Sequence, residues 1–212
     1  MRRKFPPRNL KLTVVGDKGV GKTSLLKTYS HGIFPNGEYV STVFPYLSDE
    51  DYVYSKPINY SGAPVLLAMW DRVYNQKEDD LIRSLQYDQT DIFLLCFNVT
   101  DKPSFMNAAA LWRAEIQKHC PKTPFILLGL KKDARCGRSH HKQEIITRSM
   151  GKDMAEKIGA VAYMECSAKR KDGVKEVFAV AVQTAMKSPP PKPKKKNSGM
   201  FGSRLLRFIK LL

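Results

Sequence analysis

Eight consecutive residues, Gly16-Asp17-Lys18-Gly19-Val20-Gly21-Lys22-Thr23, constrain this chain more than any other stretch, because they fit the pattern G-x-x-x-x-G-K-[ST]. Before them runs the β-rich segment Leu10-Lys11-Leu12-Thr13-Val14-Val15, and after them Ser24-Leu25-Leu26-Lys27-Thr28-Tyr29 reads as the opening of a helix. Strand, glycine-rich loop and helix in that order make a cradle for a polyphosphate. Glycines let backbone N–H groups converge on the anion, and the helix N-terminus adds its own. In such a cradle Lys22 reaches the β- and γ-phosphates and the Thr23 hydroxyl takes a place on Mg²⁺; the residues assigned to the nucleotide here run from Gly16 through Ser24.

The 212 residues suit one globular domain with basic ends. Net charge is +16, and thirteen of the positive charges lie either before the first acidic residue, Asp17, or after the last, Glu176. Residues 1–9 read as a basic N-terminal extension, 10–186 as the folded domain and 187–212 as a polybasic tail. Cys96, Cys120, Cys136 and Cys166 show no paired metal-ligand spacing, which favours reduced cysteines in an intracellular protein. No apolar run approaches the length of a membrane span, and no signal-peptide core opens the chain.

Beyond the first helix, Tyr52-Val53-Tyr54 and residues 65–70 read as two strands of a hairpin with a long connection, given Pro57 and Ser61-Gly62 between them. Asp71 closes the second, and a charged segment follows that leads into a helix ending near Tyr87. Ile92-Phe93-Leu94-Leu95-Cys96-Phe97 and residues 125–128 are apolar without alternation, as strands buried on both faces are. Helices are expected over 103–118, around 154–158 and over 174–186, with a strand at 162–164 and the cap of the first near Asp101 or Ser104. The fold class is α/β: a mostly parallel six-stranded sheet flanked by helices, with binding loops at the strand carboxyl ends.

Leu130-Lys131-Lys132-Asp133 and Cys166-Ser167-Ala168-Lys169 resemble the [NT]-K-x-D and S-A-K elements of small GTPases. The resemblance implies the P-loop fold of a small G-domain that binds GTP or GDP with Mg²⁺. It implies that Asp133 accepts hydrogen bonds from guanine, that the stem of Lys131 packs on the base, and that the Ala168 N–H between Ser167 and Lys169 meets the guanine oxygen. Leu94-Leu95-Cys96-Phe97, Thr42-Val43-Phe44 and the stretch from Ile158 to Ala168 are similar to the Rho family, closest to its RhoD/Rif branch, with a short Rho-type insert after Asp133. That likeness assigns Phe34 to the edge of the base, Thr42 to Mg²⁺ and the γ-phosphate, and Asp71 to the shell around Mg²⁺. It also implies an effector-binding strand at Thr42-Val43-Phe44-Pro45-Tyr46-Leu47, exchange factors as regulators, and work on the cytoskeleton or in membrane traffic, as a monomer that binds no nucleic acid.

The departures from the family pattern are concentrated beside the γ-phosphate. After Asp71 stands Arg72-Val73-Tyr74-Asn75-Gln76 where relatives carry Thr-Ala-Gly-Gln, so the glycine is gone and Gln76 is a displaced candidate for the catalytic glutamine. Lys18 replaces a glycine, and its ammonium adds ground-state binding without lowering the barrier. Both changes point to weak hydrolysis. Leu130 replaces a polar residue that braces the base loop, which points to lower nucleotide affinity, and Pro45-Tyr46-Leu47 removes an effector-strand carboxylate. An ordinary hydrolysing switch and a nucleotide-poor pseudo-GTPase acting as a binding module are the alternatives.

The sequence ends Ile209-Lys210-Leu211-Leu212 with no prenylation cysteine, and the expected anchor is electrostatic and amphipathic. Arg204, Arg207 and Lys210 share one arc of a helical projection, and Leu205, Phe208, Ile209 and Leu212 another. The expectation is a cytoplasmic protein attached peripherally to the anionic inner face of a membrane, with nuclear import through Lys192-Pro193-Lys194-Lys195-Lys196 or a solvated tail as the other readings. Deleting residues 198–212 is expected to reduce co-sedimentation with phosphatidylserine-containing liposomes. Equal sedimentation would remove the amphipathic segment as the anchor.

Overall fold

The continuous apolar runs form the middle of a six-stranded sheet in the computed structural model, which describes residues 8–35, 53–71, 86–136 and 145–188. The strands are β1 (Arg8–Val15), β2 (Val53–Tyr60), β3 (Ala63–Asp71), β4 (Ile92–Asn98), β5 (Phe125–Leu130) and β6 (Ala162–Glu165). Their order is β2-β3-β1-β4-β5-β6, parallel except for the β2–β3 pair. β4 and β5 are buried almost throughout because helices cover both faces, which explains their lack of alternation.

The helices are α1 (Lys22–His31), α2 (Lys102–Asn107), a π-helical turn (Ala108–Trp112), α3 (Arg113–His119), α4 (Arg148–Ile158) and α5 (Val174–Lys187). A 3₁₀ turn, Lys132–Cys136, follows β5. On one sheet face Leu25 and Leu26 of α1 meet Val177, Phe178 and Ala181 of α5, with Tyr29 stacked on Phe178 at 3.7 Å between ring centroids. On the other, Phe105, Trp112 and Ile116 of the 102–119 helix pack with Ala155 of α4. The chain from β1 crosses to β3 on one side and to β4 on the other, so a crevice opens at the carboxyl end of β1.

Two local readings change. β1 begins at Arg8, whose guanidinium reaches Asp91 at 3.3 Å and pins the entry of the chain. The β2–β3 connection is short: the turn is Ser61-Gly62, with φ of 51° and 83°, and Asn59 Oδ1 accepts the Gly62 N–H at 2.8 Å. Pro57 does not break β2, because β2 is an edge strand, where proline is tolerated. The helix after residue 101 does have Asp101 at its N-cap, as expected, though without a side-chain capping bond; Ser104 Oγ donates to the Asp101 carbonyl and accepts the Asn98 N–H.

Lys11 is a charged group built into this frame. Its ammonium donates to the Asp88 carbonyl at 2.8 Å and lies 4.2 Å from the Trp70 ring centroid. Burial lowers its pKa to about 8, with Asp88, Cys120 and Asp91 opposing the shift. Between that value and the pKa of an unfolded lysine, the unfolded chain binds the extra proton, so stability rises with pH across this window. Urea unfolding at about pH 7.5 and about pH 9.5 should therefore show the native protein gaining about 2 kcal/mol relative to Lys11→Met. Parallel pH dependence in the two proteins would remove this role for Lys11.

Candidate functional site

The loop leaves β1 at Gly16, which has a φ of +140° and lies so close to β4 that a Cβ would run into the Cys96 carbonyl oxygen. At its far end Gly21, with a φ of +114°, caps α1. No side chain caps this helix and its first turn holds no acidic residue, so its N–H groups present a positive field to an anion. The Lys22 ammonium lies over the loop and donates to the Gly16 and Asp17 carbonyls, each at 2.8 Å. Val20 is buried while Lys18 and Gly19 are exposed at the apex.

The end of β3 brings a carboxylate to this cradle. Val14 and Asp71 are partners in the β1–β3 register, and the Thr23 hydroxyl donates to Asp71 Oδ2 at 2.5 Å. Burial raises the Asp71 pKa, opposed by the Thr23 hydrogen bond and by Lys22 and Lys27. A buried carboxylate joined to a hydroxyl is the oxygen-rich pair that a hard divalent cation takes. Among the described residues, no group of three or more His, Cys, Asp or Glu side chains could hold a metal by itself. The donor set therefore fits Mg²⁺ only together with phosphate oxygens, the manner in which that ion binds nucleotides.

A second cluster stands at the ends of β5 and β6. Lys131 has a φ of +58°, uncommon for a non-glycine residue, and this reversal sends its ammonium to the Gly19 carbonyl at 2.7 Å with its stem beside Gly21. The Ser167 hydroxyl donates to Asp133 Oδ1 at 2.5 Å and accepts the Arg170 N–H at 3.0 Å. Ala168 lies half-buried in the following turn, with its carbonyl taken by the Lys171 N–H, and Lys169 is exposed. Lys131, Asp133, Ser167 and the phosphate loop, distant in sequence, are thereby brought to one edge of the sheet. Phe34 is half-buried three residues beyond α1. Thr42, Gln76, the segment 42–47, the insert core 137–144 and the tail lie outside the described residues.

Leu130 is buried at the end of β5, where it sets a methyl group beside Gly21, so the expected polar brace is absent there. Another brace stands nearby. Arg135 donates through both terminal nitrogens to Glu165, at 2.5 and 2.7 Å, and through Nε and one of them to the Ile146 carbonyl. The Tyr163 hydroxyl donates to the same carboxylate. Burial alone would raise the Glu165 pKa, but the hydrogen bonds from Arg135 and Tyr163 outweigh it and hold the carboxyl below its usual range. Arg135 follows Asp133 by two residues and Glu165 precedes Ser167 by two, so the network fixes both base-side loops.

Reading the sequence for function overlooked this network and one more contact. Asp17 accepts hydrogen bonds from Asn107 Nδ2 and Trp112 Nε1, both at 2.7 Å. Neither partner carried a motif, and they lie 90 and 95 residues away. The model of the Ras family matches residues 11–187, which takes in the phosphate loop, Asp71 and both base-side loops. Arg135→Ala leaves the Glu165 carboxylate short of its main partner and should cost about 3 kcal/mol in denaturant unfolding, with Arg135→Lys recovering only part because an ammonium cannot fork. A loss within error of zero would remove the brace.

Proposed function

Because the chain belongs to the Ras family of small GTPases, we propose that it is a Rho-like, atypical member that holds guanine nucleotide with Mg²⁺ and hydrolyses GTP weakly. Members of this family act as signalling switches, binding GTP or GDP and typically Mg²⁺. The observation that carries the reading for this chain is the joining of its two half-sites: Lys131 is bonded to the Gly19 carbonyl, and Asp133 to Ser167. A base read by Asp133 and phosphates cradled by residues 16–24 then belong to one ligand, and the acceptor pair a carboxylate offers suits the N1–H and 2-amino donors of guanine.

Lys22, the α1 N-terminus and Thr23 would hold the phosphates and the cation, with Asp71 bonded behind Thr23. Mg²⁺, when bound, neutralises phosphate charge. Weak hydrolysis follows from two features of this chain. Lys18 is exposed at the loop apex beside Gly19, where a bulky cation adds binding in the ground state and crowds the water side. The segment after Asp71 has no glycine at the place of the family's water-positioning motif, and Gln76 is displaced by one residue. The Rho likeness of the strand and loop phrases, the effector strand from Thr42 to Leu47, exchange-factor control and membrane attachment through the basic tail belong to the same proposal.

The test is to purify the full chain gently from cells in Mg²⁺ and identify the nucleotide that comes with it. Near-equimolar GTP is the expected result. Mostly GDP would overturn weak hydrolysis while keeping the guanine-nucleotide reading. Absence of nucleotide, with no uptake of added GDP or GTP, would overturn both and leave a pseudo-GTPase binding module.

A further inference from the structure

The phosphate loop is tethered at three points. Gly16 is pressed on β4, Gly19 is held by Lys131, and between them the Asp17 carboxylate accepts Asn107 on one oxygen and Trp112 on the other. Lys18 and Gly19 are exposed, so apolar packing does not fix the apex. The Asp17 peptide is therefore held from both ends of one residue: its side chain by the 102–119 helix, and its carbonyl by Lys22.

The geometry of that helix explains how one carboxylate meets both donors. In a regular α-helix, residues five apart point about 140° away from each other. Between Asn107 and Trp112 the helix instead makes a π-turn, Ala108–Trp112, with the Arg113 N–H bonded to the Ala108 carbonyl. The widened turn brings residue i+5 back over residue i, so the amide of Asn107 and the indole N–H of Trp112 face the same point. Trp112 is buried in the core on that side of the sheet, which anchors the donor. A π-turn costs backbone regularity, and here it faces the nucleotide cradle.

We propose that Asn107 and Trp112 are positioning residues for the phosphate loop, setting the orientation of the Asp17 peptide and, through its carbonyl, of Lys22. They touch no phosphate. The inference deepens the nucleotide reading above and rests on it for its effect on nucleotide, though not for the state of the loop itself. Losing either donor lets the Asp17 peptide rotate, loosens the cradle and speeds nucleotide release.

The experiment uses the full chain and two readouts: release of a fluorescent GDP analogue after chase with excess GDP, and hydrogen exchange of amides 16–21 with and without GDP. Trp112→Phe keeps the buried ring and removes the donor; Asn107→Ala removes the other donor from a half-buried site. Each should release nucleotide about tenfold faster, the scale of one charge-assisted hydrogen bond. Each should also raise exchange in amides 16–21 while leaving β4 and β5 protected. In an Asp17→Ala background neither substitution should have a further effect, because the shared acceptor is gone. Unchanged loop exchange in both single variants would overturn the proposal, as would an equal acceleration in the Asp17→Ala background. If Trp112→Phe fails to fold, Asn107→Ala decides by the same criteria. If the native protein takes up no guanine nucleotide, the functional reading fails, and loop exchange in the nucleotide-free protein still decides the clamp.

Discussion

The approach of Gly16 to the Cys96 carbonyl is the contact on which the rest of the site depends. Parallel pairing of β1 with β4 places Val15 beside Leu95, so the first residue beyond β1 must pass over the β4 backbone. Only a residue without a Cβ can do so, and the positive φ that the turn demands selects glycine a second time. With the loop pressed against the sheet there, α1 is launched with its N-terminus toward the crevice and Thr23 within reach of Asp71. Any side chain at Gly16 would lift the loop off β4 and separate those groups.

The base side is built by a different means. It joins two turns that follow neighbouring parallel strands, β5 and β6, and beyond the strand ends the Lys132 N–H still reaches the Cys166 carbonyl at 3.2 Å. Polar side chains reinforce that link: Ser167 with Asp133, Lys132 with Asp172 at 2.8 Å, and Arg135 and Tyr163 with Glu165. The exposed Lys132–Asp172 pair contributes little, whereas the forked Arg135 pair is partly shielded and satisfied by additional hydrogen bonds. Leu130 fits this scheme, since a buried apolar residue can stand where a polar brace is expected once the bracing is done five residues later.

The two halves meet over the loop itself. Lys131 from the base side and Asn107 with Trp112 from the 102–119 helix approach Gly19 and Asp17 from different elements. The loop is thus a joint among β1, β5 and the long helix, and its shape reports on the packing of all three. This arrangement also accounts for an exposed apex in an otherwise well-held loop: Lys18 and Gly19 are exposed, while Val20 beside them is buried in the core.

Local chemistry was legible in the sequence wherever it depends on residues close together in the chain. The phosphate loop could be read because its glycines, lysine and threonine are contiguous, and the buried strands because β4 and β5 lack alternation. The β2–β3 turn was misjudged because Pro57 looks like a break until β2 is known to be an edge strand, a fact of sheet order that no local pattern carries. Tertiary structure alone decided which distant donors serve the site. The spacing of Asn107 and Trp112 suits no face of an α-helix, and only the π-turn brings them together. Arg135 and Glu165 become partners only when β6 pairs with β5. Hydrogen bonds between residues many tens of positions apart leave no period in the sequence, because it is the packing of helices on the sheet that sets them side by side.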